Sequence, residues 1–207
     1  MSSPRIAVLV NSPPSNQDFW NLIQIAWTEC FKAVAPTATV HFYDPVIEQK
    51  FPDATNYDLI ALSGGKADAS SSESWVLGVE YVRTVVRDAP KTKILGSSAY
   101  YQGVWWCCRT CTHGSYSKYP QRAPELHDRE AAKAAPDFIH HAVNHECFVS
   151  EANKVLTFQA HPGISNVLAK KMLLEEDPVY NGNASAAALE QEVQKLDHPT
   201  DGLKLLN

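Results

Sequence analysis

The chain of 207 residues lacks the features that mark membrane proteins, nucleic-acid-binding proteins and disordered chains. Its first apolar run, residues 6–10, is too short for the core of a signal peptide or for a membrane-spanning helix. It has no Lys/Arg-rich stretch, and its formal net charge of -5 gives no attraction to nucleic acid or anionic lipid. No repeat or low-complexity linker divides it. We therefore predict one soluble, cytoplasmic domain over residues 1–207, with neither nucleic acid nor membrane among its partners.

The cysteines do not follow the pattern of a disulfide-stabilised secreted protein. Their number, five, is odd, and we expect reduced thiols because no secretion signal is present. Cys107, Cys108 and Cys111 stand close to His113, which matches one half of a zinc site with His113 or His127 as a further ligand. The alternative is that these cysteines pack as small hydrophobic residues on a helix. Because the second half of the usual zinc pattern is absent, we predict no metal and no other cofactor.

A second group of metal-ligating residue types lies further along the chain. His140, His141 and His145 are close together, next to Glu146. They lack the helical spacing with an internal glutamate that zinc-binding histidine pairs use. We therefore predict a strand with a flanking loop here, bearing surface or hydrogen-bonded histidines.

Short apolar strands alternate with amphipathic helices along the chain. The predicted strands cover residues 6–10, 39–43, 57–62, 93–95 and 155–159. Ser15 is the predicted N-cap of the first helix, whose apolar face comprises Phe19, Leu22, Ile23, Ala26, Cys30 and Val34. Later helices are predicted from the spacing of Trp75, Val79, Val82 and Val86, over residues 167–174, and from Ser185 as an N-cap through Leu196.

This alternation predicts an α/β fold, a three-layer sandwich around a mostly parallel central sheet. In such sheets ligands bind beyond the carboxyl ends of the strands. Three segments follow predicted strands: S-G-G at residues 63–65, G-S-S-A-Y-Y-Q at residues 96–102 and Q-A-H-P-G at residues 159–163. The candidate site is therefore expected where these three segments meet.

The same segments, in this order, resemble three motifs of the class I glutamine amidotransferases. Residues 57–65 are similar to the strand and oxyanion loop of that family, and residues 93–102 to its nucleophile elbow, G-[IV]-C-x-G-H-Q. Residues 156–162 resemble its L-T-x-Q-G-H-P-E segment. The D-P pair at residues 44–45 and D-P-V-Y at residues 177–180 are similar to stand-alone fungal-type members. The resemblance spans nearly the whole chain and implies a flavodoxin-like fold with a Cys-His-Glu triad.

The resemblance breaks at the positions that carry the chemistry. Ser98 stands where the family has its nucleophilic cysteine, and Gly163 stands where it has the triad glutamate. Tyr100 and Tyr101 replace the second elbow glycine and the histidine after it. His161 alone of the triad remains, so the triad is degenerate.

These replacements remove what the family mechanism needs. A serine hydroxyl requires an aligned general base, and that base requires an orienting partner. Glycine at position 163 has no side chain for that purpose, and loss of orientation alone costs about 10⁴-fold in the serine-protease triad. Tyr100 at a glycine position also predicts a reshaped elbow. We therefore predict that glutaminase activity is lost.

The remaining side chains define a candidate pocket with three open functions. The candidate catalytic residues are Ser98, Tyr100, Tyr101 and His161, and the Ser97 hydroxyl is expected to face the same pocket. The candidate oxyanion and substrate-binding residues are Gly64, Gly65, Ala99 and Gln102. The functions are a repurposed small-molecule biosynthetic enzyme, a non-catalytic pseudo-amidotransferase that binds a metabolite or partner, and a hydrolase with a Ser98–His161 dyad.

The chain is also shorter than the resemblance implies. Residues 114–126 resemble the stretch after the family's elbow helix, whereas residues 127–130 resemble a segment well downstream of it. A hairpin that forms part of the glutamine pocket is therefore expected to be missing between Leu126 and His127. Its loss predicts exposed apolar surface and self-association as a homodimer.

Overall fold

The computed structural model describes residues 2–11, 16–64, 76–97, 137–141, 147–158, 161, 163–175 and 185–197. Within these ranges the elements are β1 (Arg5–Leu9), α1 (Gln17–Val34), β2 (Thr39–Tyr43), β3 (Leu59–Leu62), α2 (Val76–Asp88), β4 (Lys93–Ser97), β5 (Phe138–His140), β6 (Cys147–Ser150), β7 (Val155–Phe158), α3 (Asn166–Glu175) and α4 (Ala186–Lys195). A single 3₁₀ turn, Ala54–Asn56, precedes β3. No helix of this described part is long and apolar enough to cross a membrane.

One seven-stranded sheet holds all of these strands, in the order β2-β1-β3-β4-β7-β6-β5. The first five strands in that order are parallel to one another. The last two pair antiparallel, β6 with β7 and β5 with β6. The predicted mostly parallel sheet is therefore confirmed, and the antiparallel pair at one edge adds detail that the sequence patterns did not give.

Helices cover both faces of the sheet because the central strands are apolar on both sides. In β1 and just after it, Ile6, Val8 and Val10 join the buried cluster that contains the inner faces of α1 and α3. Ala7 and Leu9 point to the opposite face and join the cluster that contains α2. Side chains alternate between the faces along a strand, so a fully apolar run must be buried twice. The three-layer sandwich is confirmed.

The first helix begins one residue later than the Ser15 cap predicts. Asn16 is the N-cap, and its side-chain oxygen accepts a hydrogen bond from the backbone N–H of Phe19 at 2.9 Å. Ser15 lies outside the described residues. Either residue type can cap a helix, because both carry a short side-chain oxygen, so the sequence alone does not choose between them.

The buried face of α1 is wider than its predicted apolar stripe. It comprises Phe19, Ile23, Ala26, Trp27, Cys30 and Phe31. The prediction omitted Trp27 and Phe31, whose rings stack with centroids 5.4 Å apart. It included Leu22 and Val34, which are only half-buried at the edges of the stripe.

The positions of the later helices are confirmed, whereas the predicted face of α2 is confirmed only in part. Trp75 and the side chain of Val79 lie outside the described residues. Ser185 caps α4, and its hydroxyl accepts from the N–H of Ala188 at 3.3 Å. In α2, Val82 is buried as predicted, but Val86 is 43% exposed and Val85 is buried instead. At 3.6 residues per turn, positions 82 and 85 face the sheet and position 86 lies at the edge of that face.

The predicted strand at the second histidine group is confirmed. His140 ends strand β5, and His141 follows it with its backbone N–H donating to the carbonyl of Cys147 at 2.9 Å. Cys30 and Cys147 are buried, and burial raises the pKa of the Cys30 thiol to about 11. His145 and the cysteines near residue 108 lie outside the described residues.

Lys154 closes the carboxyl end of helix α2 from the turn between β6 and β7. Its ammonium donates to the carbonyls of Val85, Val86 and Ala89 at 3.0, 2.8 and 2.9 Å. These carbonyls lie at the end of α2 and just after it, where the helix dipole favours a cation. Those of Val85 and Ala89 also accept from the backbone N–H groups of Ala89 and Thr92, both at 3.1 Å, so the ammonium adds a charged donor to them. Burial and the nearby charge of Lys93 lower the pKa of Lys154, which is the cost of holding a cation there.

We expect Lys154→Met to destabilise the protein by about 1–2 kcal/mol, because three carbonyls lose a charged donor while the cost of burying the charge is removed. Urea unfolding followed by circular dichroism measures the change. Lys91→Met, at an exposed lysine nearby, is the matched control and should stay within about 0.5 kcal/mol of the native chain. Equal effects of the two substitutions would contradict this role for Lys154.

Candidate functional site

The three predicted site segments leave the sheet at one edge. Strands β3, β4 and β7 are adjacent and parallel, with Leu62 paired to Gly96 and Gly96 paired to Thr157. The residues that follow these strands are therefore brought together, as expected from the alternation of strands and helices. Those that the structure describes at this edge include Gly64, His161 and Gly163.

The loop after β3 depends on a glycine conformation. Gly64 has a φ of 79°, a left-handed value that side chains disfavour. Its carbonyl accepts a hydrogen bond from the Ser63 hydroxyl at 3.1 Å. The backbone conformation of this turn therefore favours glycine at position 64, whether or not the N–H groups of the loop bind an oxyanion. Gly65 lies outside the described residues.

Ser97 is not one of the hydroxyls that face the candidate pocket. It was a plausible member of that group because it stands beside Ser98 at the end of β4. Its side chain is fully buried and its hydroxyl donates to the carbonyl of Leu62 at 3.2 Å. Ser97 therefore ties β4 to β3, and that expectation was wrong.

Several predicted site residues fall outside the part of the chain that the structure describes. They are Gly65, Ser98, Ala99, Tyr100, Tyr101 and Gln102. The predicted deletion between Leu126 and His127 and the group around Cys107, Cys108, Cys111 and His113 also fall there. Their roles stay predictions, and the geometry of the site is built from Gly64, His161, Gly163 and their neighbours.

His161 is buried in the segment that connects β7 to α3. Its side chain is 5% exposed, and both ring nitrogens are shielded from solvent. Its carbonyl accepts from the N–H of Ile164 at 3.1 Å, which closes a turn over residues 161–164. Ser165 then accepts from the N–H of Leu168 through its hydroxyl and begins α3. The imidazole is therefore placed by a turn anchored on a packed helix.

Gly163, inside this turn, has no room for a side chain. A Cβ built on it would lie 2.7 Å from Cδ2, 2.7 Å from Cε3 and 2.8 Å from Cε2 of Trp27. Three near-equal distances to neighbouring ring atoms place that position over the face of the indole. Trp27 is 1% exposed and belongs to the main buried cluster together with Ile164. At the position that the resemblance equates with the triad acid, the Trp27 ring therefore fills the space that a side chain would need.

Asn11 is a polar residue of this edge that the sequence analysis did not single out. It is buried after β1, donates from its backbone N–H to the Ser63 hydroxyl at 3.2 Å and from Nδ2 to the carbonyl of Leu9 at 3.1 Å. Its Oδ1 is buried and has no hydrogen-bond partner among the described residues. An asparagine directly after a fully apolar strand was the available signal, because buried amides need partners.

Solved structures with the same fold include one of a glutamine amidotransferase. The crystal structure of a glutamine amido transferase from Methylobacillus flagellatus matches with a TM-score of 0.55 at 14% identity, covering 94% of this chain and 90% of that one. The crystal structure of SMU.1228c matches with a TM-score of 0.56 at 14% identity, covering 97% and 99%. The fold is thus that of the flavodoxin-like amidotransferase domains.

The sequence relatives define the family. The chain is 44% identical over 236 positions to the glutamine amidotransferase-like protein chyE of Penicillium rubens, covering 100% of this chain and 95% of the relative. It is 27% identical over 231 positions to the glutamine amidotransferase-like protein chry6 of Gibberella zeae, covering 98% and 92%. No family model matches the chain. The chain belongs to the family of glutamine amidotransferase-like proteins.

The length of the first of these alignments bears on the size of the chain. It has 236 positions, whereas the chain contributes 207 residues, a difference of 29. At least that many positions of the relative have no counterpart here. Their location within the chain, which the sequence analysis puts between Leu126 and His127, stays a prediction.

We expect Asn11→Asp to destabilise the protein by about 2–4 kcal/mol at pH 7, because a carboxylate oxygen replaces the donor that faces the carbonyl of Leu9 in a buried place. Burial raises the pKa of a carboxyl group, so the introduced acid should titrate above its unfolded value of about 3.9. The penalty is present above the folded pKa and fades as pH falls through it. Chemical unfolding of the native chain and of Asn11→Asp at pH 7 and pH 5 measures the difference in their free energies of unfolding.

Asn21→Asp is the matched control for this substitution. Asn21 is exposed on α1, and its Oδ1 accepts from Nε2 of Gln17, so a carboxylate keeps the hydrogen bond. Its stability should stay within about 0.5 kcal/mol of the native chain at both pH values. A loss of stability for Asn11→Asp that is small, or that grows as pH falls, would show that the buried Asn11 amide does not donate to the carbonyl of Leu9.

Proposed function

We propose that this glutamine amidotransferase-like protein has lost the family's glutaminase activity, and that the pocket around His161 now serves a small-molecule reaction in biosynthesis. The observation that supports it is the absence of space for a side chain at position 163. The resemblance puts the triad glutamate there, whereas the chain has glycine with the Trp27 indole against it. A glutamate at position 163 would collide with the Trp27 ring, so that substitution alone does not restore a triad carboxylate.

The mechanistic consequence concerns how His161 is oriented. In a nucleophile–His–acid triad, the acid fixes the tautomer of the imidazole and stabilises its protonated form. An indole face next to Gly163 offers no acceptor for a ring N–H. With Ser98 at the nucleophile position, the reaction would also begin from a hydroxyl rather than a thiolate. The same argument weighs against a hydrolase built on a Ser98–His161 dyad.

The burial of His161 favours a second candidate function, a non-catalytic protein that binds a metabolite or a partner. An imidazole with both nitrogens shielded from solvent cannot exchange protons with a substrate in this arrangement. A binding protein has no such requirement. In that case His161 would maintain the architecture of the pocket, and the shared scaffold with the amidotransferases would be retained for recognition alone.

We expect the purified chain to release no ammonia or glutamate from glutamine above the uncatalysed rate, because both the nucleophile and the orienting acid are replaced. A coupled glutamate assay measures this, with an active class I amidotransferase run in parallel as the positive control. Glutamate production that disappears in a His161→Gln variant would contradict the loss of activity. Production that survives that substitution would indicate a contaminant and is removed by further purification before the result is read.

A complementation experiment in cells that carry this gene distinguishes the repurposed enzyme from the binding protein. We expect a strain without this gene to recover its metabolite profile with the native chain, but not with His161→Gln at equal abundance, because a proton-transfer group is lost. His41→Gln, at a half-buried histidine of β2, is the matched control and should restore the profile. Full recovery with His161→Gln would favour the non-catalytic function.

A further inference from the structure

Trp27 and Gly163 stand 136 positions apart in the sequence and pack together, two residues after His161 in the chain. Trp27 lies in the middle of α1, stacked on Phe31, and is nearly inaccessible to solvent. Gly163 is buried in the turn between His161 and Ile164. The ring atoms lie at 2.7–2.8 Å from the place of a Cβ, which is closer than carbon atoms approach without bonding. The indole therefore excludes every side chain from position 163.

This contact also fixes the position of the turn. The residue after Gly163, Ile164, is buried in the same cluster as Trp27, and Leu168 of α3 joins it there. The turn is thus held on one side by the indole and on the other by the start of α3. His161 opens the turn through its carbonyl, 3.1 Å from the N–H of Ile164. Movement of the indole would be transmitted to the imidazole through two residues of backbone.

We infer that Trp27 is a positioning residue at the place of the orienting acid: it packs against Gly163, sets the 161–164 turn and, through that turn, positions His161. The inference rests on the proposed function only in equating position 163 with that acid. It implies that Gly163→Glu alone cannot rebuild a triad, because the new side chain would collide with Trp27. Position 27 and position 163 have to change together.

A double-mutant cycle measures the packing directly. Gly163→Ala should raise the unfolding equilibrium constant by about 5- to 150-fold in the native chain, the range for overpacking a buried site. In a Trp27→Leu background the same substitution should change it by less than about twofold, since the obstructing ring is gone. Gly96→Ala is the matched control. Its Cβ would contact Thr157 at 3.4 Å, so its effect should be equal in both backgrounds.

A second readout separates positioning from general stability. The ring signals of His161 in a ¹H–¹⁵N spectrum should shift in Trp27→Leu and shift less in the conservative Trp27→Phe, whereas those of His41 should not move. Phe19→Leu, which removes bulk from the same buried cluster on the same helix, is the control. It should destabilise the chain and leave the His161 signals in place.

An equal cost of Gly163→Ala in both backgrounds, or His161 signals that ignore Trp27→Leu, would overturn the inference. If Trp27→Leu does not fold, Trp27→Phe takes its place in the cycle, where a smaller but nonzero coupling is expected and its absence overturns the inference equally. Glutaminase activity in the native chain would refute the proposed function and leave both of these readouts unaffected. The two claims therefore fail separately.

Discussion

The face of the Trp27 indole lies where the first carbon of any side chain at position 163 would be. That single contact joins the long helix on one side of the sheet to the segment that carries His161, and it requires glycine at a point where the amidotransferase resemblance calls for glutamate. Packing and chemistry are therefore linked at this place. No acidic side chain fits at position 163 while the indole keeps its place in the packed interior.

Most of the fold could be predicted from the sequence because its strands are short and apolar on both faces. Residues 6–10 can be buried only between two layers of helices, and Ser185 marks the start of α4 by its hydroxyl. Apart from Trp27 and Phe31, which the predicted face of α1 omitted, the errors lie within a residue or two of an element boundary or at the edge of a helix face, as at Asn16 and Val86. At these places adjacent residues satisfy the same local rule, and only tertiary contacts decide between them.

The candidate site was harder to predict, and the reason is sequence distance. The glycine at position 163 is visible in the sequence, but the residue that fills the space stands 136 positions away, and the predicted apolar stripe of α1 omitted Trp27. Asn11 and Ser97 are similar cases. Their hydrogen bonds to Ser63 and to Leu62 depend on which strands are neighbours in the sheet. The local sequence pattern predicts which residue types lie at this edge of the sheet. The hydrogen-bond partner of each residue depends on the order of the strands in the sheet.

The chemical shift of the Gly163 α-protons tests the central claim most directly. One of these protons occupies the direction of the excluded Cβ and points at the face of the indole, so ring-current shielding should move it far upfield of its partner. A ¹H–¹³C spectrum of the native chain should show two well-separated α-protons for Gly163, with cross-relaxation to the six-membered ring of Trp27. Two α-protons near the random-coil position, without cross-relaxation to that ring, would contradict the account.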